Sequence, residues 1–275
     1  MQDMTGKYYL IDDKEYNTTE SKNIEDKKAS AVYEVIRIID GIPLFFEDHY
    51  ERLVKSLEMM GSSLRISKSI LKDRIQKLIS LDEEKFCNIK ITVYLEQEKL
   101  TTYMYISKSY YPSESEVKNG VKVDLFNIER PDPNIKKLNL NYRQQLDNFI
   151  RQNKLFEALL VNRRNEITEG SKSNVFFVKG REVYTAPDKD VLMGVTRKYI
   201  LDACSGLNLV IRKIPVSVDM LLSMDGLFLS GTSIKVLPVS QVGNMVFSPA
   251  DSPVINEIRK KFDAVIEENL ASYRS

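Results

Sequence analysis

The chain has 275 residues, 43% of them hydrophobic, so it can bury a substantial core as one large domain or two smaller ones. Its 40 basic and 39 acidic residues leave a net charge of +1, which gives no electrostatic basis for binding nucleic acid. No apolar stretch approaches the roughly 20 residues that span a membrane, and the segment MQDMTGKYYLIDD lacks the apolar region of a signal peptide. We therefore predict a cytoplasmic protein that binds neither nucleic acid nor membranes.

The first part of the chain is predicted to combine short strands with two helices. Strands are predicted at 8–11 and 31–39, with a polar loop at 12–29 between them, and a turn at 40–43 leads to helices at about 47–60 and 68–80. The runs NIKITVYLE (88–96) and LTTYMYIS (100–107) are predicted to form a hairpin through Gln97 to Lys99.

A polar segment at 110–120, which contains Pro112 and several acidic and serine residues, is the best candidate for a linker. It predicts a smaller N-terminal domain at 1–113, a linker at 114–120 and a larger C-terminal domain at 121–275. The mixture of helices with antiparallel strand signals predicts an α+β fold in two domains.

The second part of the chain continues this mixture. The predicted elements are, in order, the strand VKVDLFNI, the helix YRQQLDNFIRQ, the strand ALLVN, a hairpin of SNVFFV (173–178) with EVYTA (182–186), a helix beginning near Gly194, and a helix at 254–270. In the last helix, Ile255, Ile258, Phe262 and Val265 are predicted to face inward.

Few residues are available for metal or nucleophile chemistry. Cys87 and Cys204 lie far apart in apolar surroundings without a CxxC pattern, so we expect buried reduced thiols. His49 is the only histidine, which removes most zinc sites and leaves any histidine-dependent mechanism to that residue. Its helical segment EDHYERL favours a structural or surface role over catalysis. We predict no metal site.

The stretch from Glu169 to Arg197, EGSKSNVFFVKGREVYTAPDKDVLMGVTR, is the most informative part of the chain. In this stretch an acidic residue is followed by a predicted hairpin and then by the predicted start of a helix. Free backbone N–H groups at Gly194, Val195 and Thr196, with the Thr196 hydroxyl, could bind a phosphate. Taken alone, such a helix start is more often an ordinary cap.

Three further segments accompany this stretch: AVYEVIRIIDGIPLFFEDHYERL (31–53), IKKLN (135–139) and LFLSGTSIKVLPV (227–239). Together the four motifs resemble the class IV aminotransferases, pyridoxal 5'-phosphate (PLP) enzymes of fold type IV. This family includes branched-chain aminotransferases, D-amino-acid aminotransferases and aminodeoxychorismate lyases. The resemblance covers nearly the whole chain and implies a two-domain α+β fold, PLP as the cofactor and a homodimer.

The resemblance also implies roles for individual residues. Lys136 matches the family's Schiff-base lysine, with Lys137 as the alternative, although adjacent lysines are usually surface residues. Glu169 matches the carboxylate that pairs with the pyridine nitrogen, and Arg52 matches the arginine that binds the phosphate. The remaining expected contacts are Val195, Thr196, Gly231, Thr232 and Ser233 near the cofactor phosphate, and Tyr33 near the substrate.

The implied reaction is transfer of an amino group from an amino acid to a 2-oxo acid, with PLP bound to Lys136. D-amino-acid aminotransferases carry an Arg and a His after the strand that corresponds to ITVYLEQEKLTTYMYI, and this chain has neither there. We therefore rank a branched-chain type of substrate first and aminodeoxychorismate lyase activity, giving 4-aminobenzoate and pyruvate, second. A relative that keeps the fold without catalysis is a third alternative.

Overall fold

The computed structural model describes residues 3–20, 30–63, 65–96, 99–249 and 252–274. The chain divides into two compact units, which are Met1–Tyr110 with Ile135–Leu138 and Glu268–Ser275, and Tyr111–Asn134 with Asn139–Glu267. The first unit therefore includes two short segments from later in the sequence. The predicted domain boundaries at 113 and 121 stay a prediction.

The first unit is built on a six-stranded sheet in the order β2-β1-β6-β5-β3-β4, and its strand pairs are antiparallel. Two helices accompany the sheet. The elements are β1 (Met4–Ile11), β2 (Lys14–Asn17), β3 (Ser30–Ile39), β4 (Ile42–Pro43), α1 (Phe46–Met59), α2 (Lys68–Asp82), β5 (Cys87–Glu96) and β6 (Lys99–Ser107).

Strand residues alternate between the two faces of a sheet. In this sheet the residues of one face pack against α1 and α2. Val32, Ile36 and Ile38 of β3 lie in one core cluster with Leu53 of α1 and Leu71 of α2. The intervening β3 residues therefore project from the opposite face. This alternation places Tyr33 and Glu34 on different faces of the sheet.

The second unit contains a ten-stranded mixed sheet in the order β12-β11-β10-β14-β15-β7-β8-β9-β13, with β16 paired to β15. Its strands are β7 (Val121–Asn127), β8 (Glu157–Val161), β9 (Glu166–Gly170), β10 (Asn174–Lys179), β11 (Glu182–Thr185), β12 (Val210–Lys213), β13 (Val216–Ser217), β14 (Gly226–Gly231), β15 (Lys235–Val242) and β16 (Met245–Val246). Its helices are α3 (Glu114–Asn119), α4 (Leu140–Gln152), α5 (Val195–Gly206) and α6 (Pro253–Arg274), the last of which contributes its C-terminal end to the first unit.

The pairing of β5 with β6 confirms one predicted hairpin, and the pairing of β10 with β11 confirms the other. The turn residues Gln97 and Glu98 of the first hairpin lie outside the described residues. The predicted polar loop at 12–29 was wrong in part, because Lys14–Asn17 pairs with β1 as a strand. Residues 21–29 of that loop lie outside the described ranges.

The segment 114–120, which is predicted as a linker, contains the short helix α3. Ser113 forms a capping box with Glu116, and Gly120 ends α3 with a φ of 76°. In α6, Ile255, Ile258 and Phe262 are buried as predicted. Ile266 takes the inward position that was assigned to Val265.

Both cysteines are buried and free, as expected, and burial raises the pKa of each thiol to about 12. Among the described residues, no helix is both long enough and apolar enough to cross a membrane.

Candidate active site

The two candidate lysines lie in a short segment that pairs with β3. The amide of Tyr33 donates to the carbonyl of Lys136 over 2.9 Å, and Val32 forms an antiparallel bridge with Lys137. Because side chains alternate along such a segment, the two lysines point in different directions. The Nζ atom of Lys136 lies 4.7 Å from the centroid of the Tyr33 ring, whereas Lys137 is exposed.

On the other face of the sheet, Glu34 joins β3 to α1. Its carboxylate accepts hydrogen bonds from Arg52 Nε at 2.8 Å, from Arg52 Nη2 at 2.6 Å and from His49 Nδ1 at 2.9 Å. His49 and Arg52 are three residues apart on the helix, so both project toward the strand. Glu34 is 1% exposed and Arg52 is 11% exposed, so this is a buried ion pair.

The charges in this cluster determine its protonation. Burial alone would raise the pKa of Glu34, but the charge of Arg52 and the hydrogen bonds from His49 and Arg52 outweigh it and lower that pKa from 4.5 to about 2. Burial lowers the pKa of His49 below 6.5, and the positive charges of Arg52 and Lys136 lower it further against the opposing effect of Glu34. At neutral pH the cluster therefore contains an ionised Glu34 and a neutral His49.

In the second unit, Glu169 lies at the end of β9 and is 1% exposed. One carboxylate oxygen accepts from Arg130 Nη1 at 3.1 Å. The other accepts from the amide of Leu192 at 3.0 Å and from Asn174 Nδ2 at 3.3 Å. Donors on both oxygens fix the orientation of this carboxylate.

Two of these partners, Arg130 and Asn174, were missed in the sequence. Asn174 begins the hairpin that contains SNVFFV, and its side chain also donates to the carbonyl of Leu192 over 2.9 Å. Arg130 lies in an irregular segment before the candidate lysines, where nothing in the local pattern distinguishes it from other surface arginines. Only the folded chain brings it to Glu169.

The predicted helix start is at α5, whose N-cap is Gly194 and whose first residues are Val195 and Thr196. No side chain caps this end, so the first-turn amides are not bonded by the N-cap residue. A Cβ atom at Gly194 would lie 2.3 Å from Asn174 Oδ1, so only glycine lets the helix begin this close to the residue that contacts Glu169.

Gly231, Thr232 and Ser233 connect β14 to β15 and are half-buried. A Cβ atom at Gly231 would lie 4.0 Å from Ser173 Cβ, which places this connection near the loop that follows Glu169.

The structure thus groups the predicted residues in two sets. Tyr33, Arg52 and Lys136 belong to the first unit. Those of the second unit are Glu169, Val195, Thr196, Gly231, Thr232 and Ser233. Within the described ranges, no group of His, Cys, Asp and Glu side chains could hold a metal ion.

A half-buried lysine beside an aromatic ring, a buried carboxylate that accepts three hydrogen bonds and a helix start without a side-chain cap are groups that could each bind part of an organic cofactor. The chain belongs to the class IV aminotransferases, because the family model described as "Amino-transferase class IV" matches residues 31–242. This family consists of PLP-dependent enzymes.

Individual relatives agree with this assignment. The chain is 30% identical over 258 residues to D-alanine aminotransferase from Bacillus licheniformis, which covers 86% of this chain and 89% of the relative. It is 26% identical over 255 residues to a probable branched-chain-amino-acid aminotransferase from Thermotoga maritima, with 89% and 90% covered.

The fold agrees as well. The branched-chain amino acid aminotransferase from Thermobaculum terrenum, solved in its PLP form, matches with a TM-score of 0.82 at 20% identity. That match covers 98% of this chain and 97% of the other. The α+β fold predicted from the sequence, of fold type IV, is therefore confirmed.

Proposed function

We propose that this protein transfers the amino group of a branched-chain type of amino acid to a 2-oxo acid, with PLP bound to Lys136. The observation that carries the proposal is the placement of the Lys136 amine beside the Tyr33 ring by backbone pairing with β3. A positioned amine can bind the aldehyde of the cofactor and then move a proton at the substrate Cα. The exposed side chain of Lys137 has no comparable setting.

The residues present fit this cofactor. Glu169 is a buried carboxylate that receives three donors, and since a carboxylate has about four acceptor sites it can accept a further bond from a pyridine nitrogen. The amides of Val195 and Thr196 at the start of α5 suit a phosphate. When bound, PLP supplies the ring that accepts the electron pair of the broken Cα–H bond.

Arg52 is the proposed phosphate ligand of the first unit. Glu34 holds its Nε and Nη2 atoms, so the guanidinium is fixed before any ligand arrives. A guanidinium that is already held in place loses less conformational entropy on binding a phosphate than a mobile one does. Thr232, with Gly231 and Ser233 beside it, is proposed to add a further phosphate contact.

The substrate class is the finer part of the proposal. The relationship to the Thermotoga maritima protein supports a branched-chain type, and so does the lack of the Arg and His described above. The relationship to the Bacillus licheniformis enzyme supports D-alanine as a further alternative, beside the lyase activity that the sequence ranks second. A homodimer and a cytoplasmic location belong to the same proposal.

The test is the visible absorbance of the purified protein with PLP, followed by separate additions of L-leucine, D-alanine and aminodeoxychorismate. Conversion of the cofactor band by L-leucine supports the branched-chain type, and conversion by D-alanine alone would replace it. Release of 4-aminobenzoate and pyruvate without a 2-oxo acid would instead establish a lyase. A protein that never binds PLP would be a non-catalytic relative.

The paired variants Lys136→Ala and Lys137→Ala assign the lysine. We expect Lys136→Ala to remove covalently bound PLP and to lower kcat/KM by roughly a hundredfold or more, because the group that moves the proton is lost. Lys137→Ala should retain the band and the activity. The reverse result would transfer the role to Lys137.

A further inference from the structure

Glu157 is a buried carboxylate outside the groups that the proposed reaction uses. It begins β8 and is 3% exposed. One of its oxygens accepts from the backbone amide of Lys172 and from the Ser171 hydroxyl, the latter at 3.2 Å. The other oxygen accepts from the Ser173 hydroxyl at 2.9 Å. The two oxygens of one carboxylate therefore bind three consecutive residues, which form the loop 171–173.

The backbone of this loop is tied at both ends. The amide of Gly170 donates to the carbonyl of Ser173 at 2.8 Å, and the amide of Ser171 donates to a carbonyl of β8 at 2.9 Å. A Cβ atom at Gly170 would lie 2.6 Å from a carboxylate oxygen of Glu157, so no side chain fits there. The Glu157 carboxylate thus packs directly against the chain that enters the loop.

The residues on either side of the loop belong to the proposed cofactor site. Glu169 lies two residues before the loop, and Asn174, which follows it directly, donates to the Glu169 carboxylate at 3.3 Å. Within the loop, Ser173 Cβ lies 4.0 Å from a Cβ atom built on Gly231, in the connection proposed to contact the phosphate. A displacement of the loop would therefore move the Glu169 carboxylate relative to its partners.

Hydrogen bonding, rather than charge, accounts for a carboxylate at this place. Burial raises the pKa of Glu157 above its ordinary 4.5, and the hydrogen bonds from the loop and the charge of Lys172 offset this only in part. Ionisation of Glu157 is therefore unfavourable here. Its acceptor oxygens, by contrast, satisfy a buried amide and two hydroxyls that would cost free energy if they were left without partners.

We infer that Glu157 is a positioning residue, which holds the loop 171–173 so that the Glu169 carboxylate is aligned with the pyridine nitrogen of the cofactor. The inference rests on the proposed function, since it takes Glu169 as the partner of that nitrogen. Glu157 acts through Glu169 and takes no part in proton transfer. Small displacements matter in such a support, because a misplacement of about 1 Å can cost roughly a hundredfold in rate.

The first test compares Glu157→Ala with Glu157→Gln in the holoenzyme. Glutamine keeps an acceptor for the Lys172 amide and an N–H group that can donate to the Ser173 hydroxyl, whereas alanine keeps neither. The measurement is the NMR shift of the ring nitrogen in isotope-labelled PLP, which reports its protonation. Glu157→Ala should move this shift toward the unprotonated value and lower kcat by roughly tenfold to a hundredfold, with a smaller change in KM. Glu157→Gln should restore both.

The second test needs no cofactor. The amide of Leu192 donates to Glu169 at 3.0 Å, so its hydrogen exchange reports the position of that carboxylate. Glu157→Ala should accelerate this exchange roughly tenfold or more, whereas exchange in the paired strands β10 and β14 should be unchanged because the sheet stays folded. If the alanine variant does not fold, Ser173→Ala removes one donor only and should produce the same changes at a smaller size.

Asp147→Asn is the matched control for both tests. Asp147 pairs with the amine of Lys172 in the same loop at 2.9 Å, but the two side chains are 43% and 53% exposed. An exposed ion pair contributes little, so this substitution should change neither the nitrogen shift nor the exchange of Leu192.

Three results would overturn the inference: an unchanged nitrogen shift and Leu192 exchange in Glu157→Ala, equal losses in Glu157→Ala and Glu157→Gln, or the same losses in Asp147→Asn. Failure of the proposed function is detected separately. A protein that binds no PLP, but whose Leu192 exchange responds to Glu157→Ala, would lack the function and keep the support of Glu169. An active transaminase in which Glu157→Ala changes neither readout would overturn this inference alone.

Discussion

Replacement of Glu34 by glutamine is expected to reveal how strongly the buried cluster stabilises the first unit. Glu34→Gln keeps the shape of the side chain and removes its charge, which leaves the guanidinium of Arg52 buried without its anionic partner. Breaking a buried ion pair in this way costs about 3–5 kcal/mol.

The protonation equilibrium of Glu34 gives a second value for the same contribution. Its pKa falls from 4.5 to about 2 in the folded protein. At about 1.4 kcal/mol for each tenfold change in the ionisation constant, the ionised carboxylate stabilises the folded state by about 3 kcal/mol. The two approaches agree, so we expect Glu34→Gln to lower the free energy of unfolding at pH 7 by about 3 kcal/mol.

The dependence on pH has a definite sign. A carboxyl whose pKa is lowered by folding contributes its full stabilisation above its ordinary pKa of 4.5 and loses it as the pH falls toward about 2. The difference between wild type and Glu34→Gln should therefore be constant at neutral pH and become smaller below pH 4.5.

Urea unfolding followed by circular dichroism provides the measurement. Glu58→Gln is the control, because Glu58 lies on the same helix and pairs with Arg65 at 2.5 Å, but the two side chains are 47% and 68% exposed. An exposed pair contributes at most about 1 kcal/mol. If Glu34→Gln cost no more than Glu58→Gln, or if its effect did not change below pH 4.5, the cluster would not be the buried ion pair described here.

Three further results are expected. His49 is the only histidine, so its NMR titration can be followed directly, and the midpoint should lie below 6.5. The free energy of unfolding should also fall as the pH drops below 6.5, because the unfolded state binds that proton first. A midpoint at or above 6.5 would contradict the burial of His49 beside Arg52 and Lys136. Gly194→Ala should destabilise the protein and weaken PLP binding in an absorbance titration, because the new Cβ atom would clash with Asn174. The control Gly206→Ala, whose Cβ atom would have its nearest neighbour at 3.7 Å, should be neutral or stabilising in thermal unfolding. Equal effects of the two substitutions would contradict the close approach of Gly194 to Asn174. Cys87 and Cys204 should resist iodoacetamide at pH 7.5, measured by mass spectrometry, because the pKa of each is about 12, and rapid labelling of the native protein would show that the thiols are accessible.

Local patterns predicted the elements that depend on neighbouring residues. The β10–β11 hairpin followed from two runs rich in Val, Phe and Tyr joined by a turn at Gly180, whose φ is 56°. The α3 helix carried a local signal too, since Ser113 and Glu116 have the spacing of a capping box, but its polar composition led to the prediction of a linker. The sequence analysis missed this helix because it gave composition more weight than spacing.

Such local patterns could not predict contacts between segments that are distant in the sequence. The sequence left Lys136 and Lys137 as alternatives, and their different settings arise from pairing with β3, about a hundred residues earlier. A structural or surface role was expected for His49, and the choice between them depended on Glu34, a partner on another element. Arg130 likewise meets Glu169 only after the second unit has folded.

Strand β3 gives these distant contacts a common origin. Consecutive residues Tyr33 and Glu34 face opposite sides of the sheet, one toward Lys136 and the other toward Arg52. A shift of register by one residue would exchange the two faces, burying the tyrosine under α1 and removing the carboxylate from its partners. Nine paired positions with β5, from residue 30 to residue 38, oppose such a shift. The same register therefore sets both the environment of Lys136 and the position of the fixed Arg52.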